Sequence, residues 1–421
     1  MNRQLGKNIG FLGVSQAANY LLPLATLPYI TRIVGPVNYG RIEFATVTVL
    51  FFSALVTYGF TFTATRKIAE LKDDFRRISV VYSVVMQAKL LLLIISTFLF
   101  VVLLTVVPEY HAEWKIMLFA FPFVIGWGLY PDFLFQGRQD LGIVAGLNFG
   151  IKFLAALLIF TLLREEADFY LVCGINSFAQ ISASLVSLVY AHKRYKELRW
   201  HKVAMRLIRA YLKSGFYIFC SHFFTRVSTF GIIIFLAFLL PDKDLGLFSA
   251  AMKLIVVGQS FLFTPIGGAL FPYLAKLAKE DLASFYRERR KFAFLMLLVT
   301  SLASAVIMIW PSFFVKLVFG EEYLSVAPIL RLMAPVFILT AISHFAMKQG
   351  LMVLKVDSYN LWVVLIGGVG SILLNWFLID YSGLRGAAWA KLIVEALMAA
   401  SALYFYNKAK AKRLVPGPNI L

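Results

Sequence analysis

Apolar residues in this chain come in long runs, separated by short polar stretches that are mostly basic, and the runs recur twelve times. They fall near residues 8–33, 39–62, 79–107, 115–135, 141–163, 168–190, 216–240, 246–273, 291–318, 325–350, 357–379 and 384–406. At a helical rise of about 1.5 Å per residue, each is long enough to cross roughly 30 Å of hydrocarbon. The pattern therefore predicts an all-α, polytopic membrane protein of about twelve transmembrane helices, numbered spans 1 to 12. The one long basic stretch, residues 191–215 (AHKRYKELRWHKVAMRLIRAYLKSG), divides them into two sets of six. At helical spacing Ala204, Leu207, Ile208, Tyr211 and Leu212 share one face, and Lys202, Arg206, Arg209 and Lys213 another, the pattern of a helix lying on a membrane surface. The expected organisation is an N-lobe over 1–190, a basic amphipathic linker over 191–215 and a C-lobe with a basic tail over 216–421.

Charge orients the spans. With both termini cytoplasmic, twenty-seven of the 41 Lys and Arg residues fall on the cytoplasmic side, and only Arg32, Arg41, Lys115, Arg164, Lys243, Lys316 and Arg385 opposite. A composition of 60% hydrophobic and 15% charged residues excludes an ordinary soluble globule. The net charge of +19 lies in short loops beside apolar runs, so anionic membrane lipids, not nucleic acid, are the expected partners. Cys173 and Cys220 sit within apolar runs with no metal-ligand or redox spacing, and no metal or cofactor is expected. The first run is too long for the core of a signal peptide and is expected to remain as a span. No phosphate-binding Gly-Lys-Ser/Thr loop, His-Glu-x-x-His or Gly-x-Ser-x-Gly occurs, so an enzyme is not expected.

The halves echo one another. YGRIEFA (39–45) matches LGLFSAA (245–251), TRKIAELKDD (65–74) matches PYLAKLAKED (272–281), and Gln136-Gly137 recurs as Gln349-Gly350. Three echoes in one order argue for two pseudo-symmetric lobes. Six spans in each make the repeats parallel, related by an axis along the membrane normal, with a transport cavity expected between them.

Four segments carry a family resemblance: TRIVGPVNYGRIEFA (31–45), YPDFLFQGRQDLGIV (130–144), FTPIGGALFPYLAKL (263–277) and SGLRGAAWA (382–390). In order and position they resemble motifs of the polysaccharide transporters, the O-antigen flippase group of the multidrug/oligosaccharidyl-lipid/polysaccharide exporter superfamily. The resemblance implies movement of an undecaprenyl-diphosphate-linked oligosaccharide across the inner membrane by alternating access, with glycan polymerase and assembly machinery as further partners. Drug exporters of the superfamily typically rely on an N-lobe carboxylate, often in span 1. Here that span offers Ser15, Gln16, Asn19, Tyr20 and Thr26 but no Asp or Glu. The peptidoglycan-precursor flippase typically carries arginines within span 1, where this chain has none before Arg32. A cation-coupled exporter of drugs or small molecules is the alternative, and a membrane glycan polymerase a more distant one.

A flippase must shield phosphate and sugar from hydrocarbon, which calls for cations inside the bundle. Seven basic residues fall within spans: Lys89, Lys152, Arg226, Lys253, Arg331, Lys348 and Lys391. Each costs at least a few kcal/mol to insert, so each needs a reason to be there. Lys391 has Glu395 one turn on and reads as half of an ion pair. Arg331 and Lys348 lie near span ends and can snorkel. Arg226 shares a polar stripe with His222, Thr225 and Thr229. Lys253 shares a face with Ser249 and Ser260, Lys152 pairs in register with Asn148, and Lys89 follows Ser83 and Gln87 on span 3. These four are expected either to line a cationic cavity or to pack between helices. His222 and His344 are candidates for proton coupling or for interhelical contacts. Glu43 and Asp132, pairing with Arg41 or Arg138, are candidate gate residues. Gly142, Gly146 and Gly150 form a stripe read as close helix packing, and Pro23, Pro28, Pro265 and Pro272 are expected kinks.

Overall fold

A computed structural model describes the backbone of residues 3–414 and the side chains of residues 22–412, other than those of Leu141, Pro265, Ala269 and Asp357. Every regular element among the described residues is helical. Among the described residues nine helices are long and apolar enough to cross a membrane, or ten when Glu321–Met333 and Val336–Met352, bent by 46°, are taken as one span. Two of the ten are double. The helix Asp357–Leu414 has 58 residues, which at about 1.5 Å each is far more than one bilayer crossing needs. It turns at Ser382 (φ −143°) and Gly383 (φ 55°). Its halves fold back on each other: Tyr359 stacks on Phe405 with ring centroids 5.0 Å apart, Met398 lies against Gly367 and Leu397 against Gly370. The helix Arg3–Thr57 likewise turns at Gly35 (φ 67°), a left-handed conformation that glycine adopts without steric penalty. Divided at these two turns, ten candidates become the twelve spans that hydropathy predicts. Exposed Phe149, Phe153, Leu157 and Phe160 on span 5, and Phe294, Leu298 and Leu302 on span 9, form apolar stripes suited to hydrocarbon.

Packing divides the chain into two units, Met1–Phe223 and Phe224–Leu421. The division falls at residue 224 rather than 216, inside the helix Met205–Leu239 that forms span 7. In the first unit, span 2 ends at Thr57. Tyr58 (φ 46°) and Gly59 (φ 74°) then turn the chain into an amphipathic helix, Phe60–Leu71, which buries Phe60, Ala64 and Ile68 at four-residue spacing. That helix, span 3 (Phe75–Val106) and the end of span 4 enclose a core of Ile68, Tyr82, Met86, Phe133 and Phe135. In the second unit Phe263, Phe285, Met296, Phe345, Leu354 and Tyr406 play the same part. Span 10 is segmented there into Ala327–Met333, Val336–Ala346 and a π-helical turn, Met347–Met352, with Pro335 at the bend, where its missing N–H interrupts the hydrogen-bond ladder.

Two corners recur in both units. Asp74 caps span 3 by accepting from Arg77 N (3.1 Å), and Asp281 caps span 9 (Leu282–Ile309) by accepting from Ala283 N and Ser284 N (2.9 and 3.2 Å). Span 4 ends at left-handed Gln139 (φ 58°), with Asp140 N donating to Phe135 O. Span 10 ends at left-handed Lys355 (φ 57°), with Val356 N donating to Leu351 O. These corners terminate or follow the segments in which the sequence echoes itself.

The stretch 191–215 is not one surface helix. Span 6 (Phe169–Arg194) runs into it, residues 195–204 are non-helical, and the rest begins the span 7 helix at Met205. The apolar face packs in part against protein, with Ala204 and Leu207 left exposed. Ile208 is buried in the N-lobe core, with Tyr195, Leu198, Tyr211 and Leu212 packed there too.

Candidate functional site

The break in span 4 organises the first unit. Proline has no N–H and pushes its predecessor out of helical conformation, and before Pro131 the residue Tyr130 is extended (φ −77°, ψ 114°). A helix broken in apolar surroundings leaves a carbonyl that must find another donor. Lys89 Nζ donates to Tyr130 O at 2.7 Å. The following short helix, Asp132–Gly137, sets Asp132 in its first turn, where the backbone dipoles favour a carboxylate. Asp132 Oδ1 lies 4.0 Å from Lys89 Nζ, and Oδ2 accepts from the Thr61 hydroxyl at 2.7 Å. Both charged residues are buried. Lys89, expected on a cavity wall, and Asp132, expected at a gate with Arg138, are therefore held to each other inside the N-lobe. Arg138 is engaged elsewhere: it pairs with Asp73 at 2.9 Å, donates to Lys72 O and lies 5.1 Å over the Phe75 ring.

The rest of the motif 130–144 fixes the same corner. A Cβ at Gly137 would stand 2.7 Å from the side chain of Ile68, so glycine permits this approach of span 4 to the Phe60–Leu71 helix. The Tyr195 hydroxyl donates to Asp140, and burial together with that bond pushes it above its usual pKa.

The strap after span 6 is pinned by a polar ladder that reading along the sequence did not resolve. Arg199 N donates to Ser79 Oγ (2.9 Å) and His201 N to Ser83 Oγ (2.9 Å), while Gln87 Nε2 donates to His201 O (2.6 Å) and Val203 N to Gln87 Oε1 (3.4 Å). The registers match: two extended residues advance about 6.6 Å and four helical residues about 6.0 Å. Ser83 and Gln87, seen as a polar line leading to Lys89, belong to this clamp.

In the second unit Lys391 Nζ lies 2.8 Å from Glu395 Oε1 and donates to Ser228 O at 3.4 Å. Thr340 Oγ1 donates to Glu395 Oε2 (3.2 Å) and accepts from Gln259 Nε2 (2.8 Å). This pair, expected from its spacing, thus joins spans 7, 8, 10 and 12. Arg331 and Lys348 are exposed, and Arg331 Nε donates to Met308 O at 3.0 Å.

The other three cations are half-buried on faces turned from the lipid stripes or from the packed core. Lys152 shares its face of span 5 (Leu141–Leu162) with buried Ala145, Ala155, Ala156 and Ile159, about a quarter-turn round the helix from the exposed phenylalanines. On span 7, Val227, Ser228 and Gly231 face spans 11 and 12, and Arg226 lies with Thr225 and Thr229 on the other side. On span 8 (Asp242–Glu280), Gly258 and Gln259 pack against Phe337 and Thr340, and Lys253 lies on the opposite side. Ser249, expected beside Lys253, is buried.

His222 is exposed and stacks on Phe62 at 4.9 Å. His344 is half-buried against Phe263 at 5.0 Å. Its Nδ1 and both amide atoms of buried Gln349 have no hydrogen-bond partner among the described residues. Glu43 is half-buried and accepts from the Tyr39 hydroxyl at 3.0 Å, while Arg41 pairs with Glu113 at 3.1 Å. A Cβ at Gly146 or Gly150 would meet no described atom within 4 Å, so that stripe is not a close-packed seam there, whereas Gly367 on span 11 is. Ser15, Gln16, Asn19, Tyr20 and Pro265 lie outside the described side chains.

Comparison with known proteins adds a second line. Residues 5–278 match the family described as "Polysaccharide biosynthesis protein", and three of the four motif segments lie inside that range. The chain is similar to the "Putative O-antigen transporter" of Escherichia coli (strain K12), with 28% identity over 412 residues covering 96% of this chain and 97% of that one. A Shigella dysenteriae protein of the same name is 30% identical over 278 residues, 66% of this chain and 69% of its own. In structure the chain is similar to the lipid II flippase MurJ in an inward closed conformation (TM-score 0.74, 13% identity, 97% and 91% covered). It is also similar to an inward-facing multidrug resistance MATE family transporter of the MOP superfamily (TM-score 0.73, 13% identity, 97% and 100% covered). At that identity the structural likeness establishes the fold, an all-α polytopic membrane protein.

Proposed function

The chain belongs to the polysaccharide biosynthesis protein family, and on that premise we propose that it is a flippase for an oligosaccharide linked to undecaprenyl diphosphate. The observation that carries this reading is the end-to-end likeness to the O-antigen transporter, over 96% of the chain. In this reading the protein sits in the inner membrane with both termini cytoplasmic, as the excess of Lys and Arg on one side favours. Two lobes, corresponding to 1–190 and 216–421 and joined by 191–215, alternate in access to a shared cavity and hand the glycan to a polymerase. Arg226, Lys253 and Lys152 hold the diphosphate or acidic sugars, because a phosphate leaving water needs a paired charge that hydrocarbon cannot supply. Lys89 acts indirectly, through the N-lobe corner it stabilises. His222, His344 and Glu43 are left as candidates for coupling.

Deleting the gene tests the reading. Loss of surface glycan, with intact oligosaccharide accumulating on its lipid carrier inside the cell, is the expected result. Unchanged glycan with new drug sensitivity would replace it by the exporter reading. In the complemented strain, Arg226→Ala or Lys253→Ala is expected to reduce surface glycan by at least about tenfold with protein still in the membrane, in line with the loss of a charge-assisted contact.

A further inference from the structure

A recess of about 590 Å³ lies where the start of span 9 meets the end of span 12, lined by Tyr286, Arg287, Arg290, Lys291, Phe294 and Lys410. Its volume is in the range of small-ligand sites. Residues 287, 290, 291 and 294 fall on one face of the span 9 helix by their spacing. Four of the six lining residues are cationic. Two acids lie beside Arg287, Glu288 at 4.0 Å and Asp281, whose carboxylate its charge favours, and Arg287 also donates to Ser284 Oγ at 3.1 Å. Lys410 lies 5.0 Å over the Tyr286 ring.

Several basic residues elsewhere at the ends of the spans are matched to acids: Arg66 to Glu70, Arg77 to Asp74, Arg138 to Asp73 and Lys276 to Glu280. Arg290 and Lys291 have no acidic partner among the described residues. Directly below them on the helix, Phe294, Leu298 and Leu302 form the exposed apolar stripe of span 9. Unmatched cations around a recess at the head of a lipid-facing stripe complement a molecule with a phosphate at one end and a hydrocarbon chain at the other.

We propose that this recess binds the phosphate of an anionic bilayer phospholipid, with Arg287, Arg290, Lys291 and Lys410 around the headgroup and an acyl chain along Phe294, Leu298 and Leu302. The site does not depend on what the protein transports. Its inner wall gives a bound lipid a route to span 10: Arg289, the residue before Arg290, is buried 3.7 Å over the Tyr406 ring and donates to Phe345 O, just before the π-helical turn.

The test uses the full-length protein, purified in detergent and delipidated, and titrated with fluorescent phosphatidylglycerol or phosphatidylethanolamine. Phosphatidylglycerol is expected to bind at least tenfold more tightly, since the zwitterionic lipid offers no net charge. Removing three charges in R287Q/R290Q/K291Q should weaken it on the order of a hundredfold, at about fivefold per charge. K276Q/K279Q, at the end of the span 8 helix, should bind as the unaltered protein does. Equal affinity for the two lipids, or a triple variant that binds normally, overturns the proposal. So does displacement by millimolar inorganic phosphate, which would mark a soluble-anion site, or by farnesyl diphosphate at lower concentration than phosphatidylglycerol, which would mark a site for a prenyl carrier. Should the triple variant not purify, K410Q repeats the test, with about a fivefold loss expected and no loss overturning it.

Discussion

In each unit of the protein a lysine is buried with a carboxylate, and the two units achieve this by different means. In the second, Lys391 and Glu395 stand four residues apart on one helix and meet at 2.8 Å. In the first, Lys89 and Asp132 come from different helices, approach only to 4.0 Å, and share Lys89 with the carbonyl that the Tyr130-Pro131 break sets free. The C-lobe pair is complete in itself, and neighbours hydrogen-bond onto it. The N-lobe lysine answers a defect in the backbone, with Asp132 as its counterion. A buried pair contributes little net stability as a pair, but breaking it strands a charge, so the two should respond alike to single substitutions and differently to double ones.

The largest effect is expected at the N-lobe pair, whose side chains are 1% and 7% exposed. Lys89→Met or Asp132→Leu should each cost about 3–5 kcal/mol, read as a fall in the thermal unfolding midpoint of the purified protein. The double variant should recover only part of this, remaining about 1–3 kcal/mol short, because the Tyr130 carbonyl stays buried without a donor. Full recovery would show that the lysine serves the carboxylate and not the carbonyl.

At the C-lobe pair, 6% and 11% exposed, single substitutions should fall at the lower end of the same range, about 3 kcal/mol. Here K391M/E395L should return to within about 1 kcal/mol of the unaltered protein, since Thr340 keeps its bond to Gln259. If both double variants recover equally, the contrast between the lobes is lost.

The same contrast governs what could be read in advance. Spacing along one helix made Lys391–Glu395 legible, and hydropathy made twelve spans legible, including the two pairs divided by turns at Gly35 and Gly383. The family motifs were visible too, but not their work: Pro131 breaks span 4, and Asp132, Gly137, Arg138 and Asp140 each fasten it to a neighbour. Lys89 looked like a cavity residue because its partners lie 41 and 43 residues on, beyond any local pattern. The ladder of Ser79, Ser83 and Gln87 was likewise half visible. A polar residue every four positions signals a helix face with something to hold, but the strap it holds is more than 110 residues away. The linker misled for a related reason. Of its apolar face only Ile208, Tyr211 and Leu212 pack into the N-lobe core, and whether such a face meets lipid or protein depends on a core elsewhere in the chain.

That strap gives a smaller and more local prediction. Each of its hydrogen bonds is worth about 0.5–1.5 kcal/mol, and most of the segment is exposed to water. S83A/Q87A should therefore speed amide hydrogen exchange at His201 and Val203 severalfold while leaving the thermal midpoint of the protein nearly unchanged. A large global loss instead would mean that the strap, and not the Pro131 corner, holds the N-lobe together.

The smallest effect compares the repeated caps. Asp74 and Asp281 begin spans 3 and 9 by accepting from backbone N–H groups, so alanine at either should fray the first turn, visible as faster exchange at Arg77 N or at Ala283 N and Ser284 N. For Asp281 the hydroxyl and amide of Ser284, with help from Ala283 N and Arg287, hold the carboxyl below its ordinary value. A depressed folded-state pKa contributes stability that is fully present above the unfolded value of about 3.9 and disappears as pH falls through the lower folded one. The difference between the unaltered protein and D281A should thus be constant from neutral pH down to mild acid and then shrink. The difference between D281N, which can cap without a charge, and D281A should show no such acid dependence. A D281A difference that persists unchanged in strong acid would mean that the first turn of span 9 is held by its packing against Phe285 and the C-lobe core, with the carboxylate incidental.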